Sequence, residues 1–112
     1  MRLKHFVFLM DNILKNIKTM IKDGNIAEAK QALYNIIEEQ NEYADTAYYL
    51  LGNACRKLGD WQGALNNYQE AIDINPESPA KDARAMMMDI LNFYNAKDAT
   101  SAWLPVRLKY WL

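Results

Sequence analysis

The feature that most restricts this chain is a self-similarity. Gly24-Asn25-Ile26-Ala27-Glu28-Ala29 is matched 35 residues later, from 24 to 59, by Gly59-Asp60-Trp61-Gln62-Gly63-Ala64. Each segment stands between stretches of helical apolar spacing. Before the first, Ile13, Leu14, Ile17, Met20 and Ile21 recur at steps of three and four; after it, Ile26, Ala29, Ala32, Leu33, Ile36 and Ile37 do the same. A helix pair cannot bury its own apolar faces alone, so pairs at a fixed period stack on their neighbours. The expected fold is all-α: an antiparallel helix-pair solenoid of about five helices.

Punctuation places the helices. The first is expected over 11–22, ended by Asp23-Gly24 with the glycine left-handed. Asn25 and Glu28 form a capping-box pair for the second. A third runs 45–58 to Gly59, and Asp60 caps a fourth over 61–74. Asn75-Pro76 ends it, because a residue before proline is pushed out of the helical region. Ser78-Pro79 opens a fifth helix reaching 95. Residues 1–10 read as an N-terminal extension, and Met10-Asp11-Asn12 as a natural start.

Tyr48, Leu51, Gly52, Cys55, Gly59, Ala64, Tyr68, Ala71 and Pro76 resemble one complete tetratricopeptide repeat (TPR). The resemblance implies repeats over 10–44 and 45–78, a capping helix over 79–95 and an apolar tail over 96–112. The first repeat departs more, with Leu33 and Ile36 at aromatic and small positions, and Ile17 where the second has Gly52. In the second, Gly52 and Ala64 are expected to let the two helices approach closely.

The resemblance implies a scaffold whose first-of-pair helices line a groove for a peptide or helix of a partner. Groove positions carried over are Leu14, Lys15, Lys18 and Lys22; Tyr49, Leu50, Asn53, Arg56 and Lys57; and Ala83, Arg84, Met87 and Leu91. The groove is then basic with apolar spots. The acids Glu28, Glu38, Glu39, Glu42, Glu70 and Asp73 fall on the second-of-pair helices. Such a face attracts an acidic protein or peptide; equally, a run of lysines is a solvated helix face. Where a chaperone-clamping subclass has Lys, Asn, Asn, Lys and Arg, this chain has Asp11, Lys15, Leu50, Ala80 and Arg84, so only the last matches.

The fifth helix carries Met86, Met87, Met88, Ile90, Leu91, Phe93 and Tyr94 around much of its circumference. A helix apolar on all sides is buried somewhere. Three covers are open: the tail with Trp103 and Trp111, a second copy, or another protein. The alternative function is therefore a homodimeric assembly unit with Met86, Met88, Phe93, Tyr94, Trp103 and Trp111 at its interface.

Other classes lack their chemistry. The formal net charge is −1, without the basic excess of a nucleic-acid binder. The lone histidine, His5, lies outside the repeats, and Cys55, the lone cysteine, reads as a small core residue. There is no phosphate loop, dinucleotide fingerprint or metal-ligand cluster, so no enzyme, metal or cofactor is expected. The apolar run Phe6–Met10 is short for a secretory signal and stops at Asp11. A cytoplasmic, non-membrane protein is the expectation.

Overall fold

The computed structural model describes residues 2–97. Five α-helices follow in order: α1 (Arg2–Asp23), α2 (Ile26–Glu39), α3 (Ala44–Lys57), α4 (Trp61–Ile74) and α5 (Ala80–Lys97), with a 3-10 turn at Asn41–Tyr43 before α3. Helix α3 packs most heavily on α4; α2 packs on α3, α5 on α4, and α1 on α2 and α3. The described residues contain no strand, and successive helix pairs pack as a solenoid requires.

The turns follow their backbone chemistry. Gly24 and Gly59 hold φ of +91° and +78°, a region costly for residues with a Cβ. The Asp60 carboxylate accepts from the Gly63 N–H at 3.0 Å, capping α4. Asn75, extended before Pro76, ends α4, and its side-chain amide donates to Asp45 at 2.9 Å, tying the end of α4 to the start of α3. Ser78 is buried, and its hydroxyl accepts from the Ala80 N–H at 3.1 Å. Asn25 differs from expectation: its side chain makes no cap bond.

Helix α1 also begins earlier than expected. The three-and-four spacing continues back from Leu14 through Met10 to Phe6. Met10 is buried, and the Phe6 ring packs on Tyr43 at 6.0 Å between centroids. Asp11 does not interrupt the helix because it faces solvent.

Two core clusters share α3. The first joins Met10, Leu14, Ile17 and Ile21 of α1, Ile26, Ala29, Leu33 and Ile36 of α2, and Ala47, Leu50, Leu51 and Ala54 of α3. The second gathers Cys55, Ala64, Tyr68, Ala71, Ala80 and Met87. Full burial of a side chain such as Leu33 or Leu51 stabilises the fold by about 1.5–3 kcal/mol.

Burial also corrects the repeat register. Leu14, Ile17 and Ile21 take the places of Tyr48, Leu51 and Cys55, an offset of 34, whereas the turn glycines lie 35 apart. Two residues separate α1 from α2 and three separate α3 from α4, so the first turn is one residue shorter. Ile17 therefore corresponds to Leu51, and exposed Lys18 to Gly52.

The close approach at Gly52 is to the Tyr68 ring: an added Cβ would overlap its Cδ1 and Cε1 edge. Helix propensity alone favours alanine over glycine by about 1 kcal/mol, but overlap in a packed seam costs about 1–3 kcal/mol. Gly52→Ala is expected to lose about 1–2 kcal/mol in urea unfolding. In a Tyr68→Leu background the same substitution should be neutral or stabilising, because the overlapped ring is gone.

Candidate concave-face site

Helices α1 and α3 bring their C-terminal ends side by side. Between them lies an open cleft of about 380 Å³ lined by Ile21, Lys22, Asn53, Arg56 and Lys57. Lys22 sits in the last turn of α1, Arg56 and Lys57 in the last turn of α3. The carbonyl ends of both helices stabilise these cations by about 0.3–1 kcal/mol each. That explains how three cations sit together without carboxylate partners among the described residues.

The floor of the cleft is ordered by Tyr68. Its hydroxyl donates to Asn53 Oδ1, and its ring lies 6.0 Å from that of Tyr49. Burial pushes the Tyr68 phenol above its ordinary 10.0, and the adjacent Arg56 guanidinium offsets only part of that rise. Asn53, half-buried, is thus held by the core from below, while Lys22, Arg56 and Lys57 are exposed.

Of the residues expected in a groove, Lys22, Asn53, Arg56 and Lys57 converge on this cleft, with half-buried Tyr49 beside it. Lys15 and Lys18 are exposed further up α1 and do not line it. Leu14, Leu50, Met87 and Leu91 are core residues at 7%, 2%, 0% and 2% exposure, and do not line the cleft. Ala83 packs half-buried against the second cluster. Arg84 lies on the same inward stripe of α5, with its Nε buried and without a hydrogen-bond partner. Ile21, which forms the apolar edge of the cleft, was missed: its register became legible only once the shorter first turn was known.

On α5, Met87 and Leu91 face inward, while Met86, Ile90 and Phe93 are 46%, 36% and 60% exposed and Met88 is half-buried. The side chain of Tyr94, and Trp103 and Trp111 in the tail, lie outside the described residues. Cys55 is buried at the α3–α4 seam, where the Asn67 amide donates to its sulfur at 3.6 Å. Burial raises its thiol above the ordinary 9.0, and nearby Lys30 opposes the rise. Among the described residues, no three His, Cys, Asp or Glu side chains converge to hold a metal, and no helix is long and apolar enough to cross a membrane.

Comparison with known proteins is consistent with this architecture. Residues 46–78 match the family model described as tetratricopeptide repeat. The solution NMR structure of Bacteroides fragilis protein BF1650 is 53% identical, with a TM-score of 0.69, over 80% of this chain and 95% of that one. No curated protein matches.

Both raised groups favour the protonated form in the fold. The stability they contribute is fully present below their ordinary values and is lost as pH rises through the folded-state values. Chemical denaturation across the alkaline range should therefore show stability falling from about pH 9 upward. Tyr68→Phe should make that fall shallower, though the variant starts lower by about 1 kcal/mol for the lost bond to Asn53.

Proposed function

The chain belongs to the tetratricopeptide repeat family, and from that premise we propose that the concave face of α1 and α3 binds an acidic segment of a partner polypeptide. The family is generally a non-enzymatic interaction repeat, and its repeat is a protein–protein interaction module. What supports the finer reading is the convergence of Lys22, Arg56 and Lys57 on one open cleft, with Asn53 as a neutral hydrogen-bonding group and Ile21 as an apolar edge.

Magnitudes set what the cations do. A solvent-exposed ion pair contributes about 0.2–1 kcal/mol. Three give attraction, orientation and partner choice, while most of the affinity comes from apolar contacts and backbone hydrogen bonds of the ligand. Lys15 and Lys18 extend the positive strip along α1 and steer an acidic chain toward the cleft. The acids Glu28, Glu38, Glu39, Glu70 and Asp73 are exposed on α2 and α4, away from it. Helix α5 closes the second pair and acts as the cap of the solenoid. A cytoplasmic setting suits the lone buried thiol.

Lys22 and Lys57 provide the test, because both are exposed and neither contributes to a core cluster. A random peptide display library panned on the native protein should enrich acid-rich sequences. Lys22→Glu/Lys57→Glu should bind those peptides about 10- to 100-fold more weakly, with native binding falling as salt rises. Enrichment without acidic bias, or equal binding by the variant, rejects this face.

A further inference from the structure

Helix α3 packs on α1 and α2 through a stripe that recurs on α1 itself. Ala47, Leu50 and Ala54 are buried in the first cluster at 0%, 2% and 0% exposure, with Tyr43 packed against it. The helix offset of 34 residues places Leu9, Ile13, Asn16 and Met20 at the equivalent positions of α1. On α1 the stripe is open: Leu9 and Ile13 are 45% and 43% exposed, Asn16 is exposed and Met20 is half-buried. Steps of four, three and four residues hold these side chains on one helix face, the spacing of a coiled-coil seam. We propose that this face is a dimer interface, at which α1 packs antiparallel on α1 of a second copy.

Three observations favour this occupant. The first is form. In α3 the same positions meet helices, so the face matches a helix laid alongside rather than an extended peptide. The second is charge. A two-fold contact brings a patch against itself, so a charged stripe would repel its own copy. Between Phe6 and Met20 the stripe and the positions flanking it carry no charge; Asn12, Asn16 and Thr19 are their polar members. The cations Lys15 and Lys22 stand two residues beyond Ile13 and Met20, about 200° round the helix.

The third is register. A two-fold axis level with Asp11 sets Leu9 against the partner's Ile13 and Ile13 against the partner's Leu9. The two apolar side chains most exposed on the stripe thereby cover each other. A face this short suits a reversible dimer. The basic cleft lies on the other side of α1, so the dimer presents two clefts, and its formation does not depend on what they bind.

The test is the oligomeric state of the full chain, read by light scattering after size exclusion. The native chain should be a dimer that dissociates on dilution. Leu9→Glu and Ile13→Lys should each weaken self-association about 100-fold or more, because each places two unpaired charges in the contact. Both should keep native circular dichroism, since neither side chain is buried. Mixing the two variants should restore a dimer: one layer then pairs the introduced carboxylate with the introduced ammonium, and the other keeps Leu9 with Ile13. Met86→Glu, on the exposed side of α5, should leave the dimer unchanged. A native chain that stays monomeric at millimolar concentration overturns the proposal and leaves the stripe to residues 98–112 or to another protein. Association that survives either α1 variant, a mixture that stays monomeric, or loss of the dimer in Met86→Glu overturns it as well.

Discussion

The fold turns on one contact between α3 and α4. Tyr68, the largest fully buried side chain among the described residues, lies with its ring edge where any Cβ on residue 52 would be. A ring needs a notch that deep to pack between two helices at this distance, and glycine alone supplies it without breaking the backbone of α3. From that seam the rest follows in both directions. Leu50, Leu51 and Ala54 of α3 carry the first cluster back to α1 and α2, and Tyr68 with Ala71 carries the second forward to Met87 and α5. Interior packing leaves few voids, so displacement at this point is felt by both clusters.

The same tyrosine couples core to surface. Its ring belongs to the interior, while its hydroxyl donates to Asn53 and lies near the Arg56 guanidinium. Asn53 is therefore preorganised by packing, and a ligand that uses it need not first order it. Lys22, Arg56 and Lys57 differ: held near the carbonyl ends of their helices, they keep side-chain freedom, and any ligand must bear the loss of that freedom.

Much of this was legible from local chemistry. Turn glycines, the Asp60 cap, the Asn75-Pro76 stop and Ser78 act through their own backbone, and a single sequence reports them. What escaped reading depends on neighbours. The offset between turns was carried over to the helices, although the first turn is a residue shorter, and this misplaced Ile17 against Gly52. Asp11 looked like a helix boundary, but one exposed acid does not outweigh Phe6 and Met10 on a continuous stripe. Leu14, Leu50, Met87 and Leu91 were placed in the groove by family position; which side of a helix is covered depends on the helix packed beside it. Sequence spacing alone does not show that Lys22 of α1 and Arg56 and Lys57 of α3 line one cleft.

Cys55 gives this molecule a built-in clock. Its sulfur sits at the α3–α4 seam beside Gly63, with Asn67 donating to it, and the thiolate is disfavoured there. A thiol reagent in bulk water meets no reactive sulfur until the hairpin parts. The modification rate is then the opening equilibrium multiplied by the intrinsic rate of a free thiol. One native side chain thus meters how often the central seam breathes, with no label attached and no denaturant added.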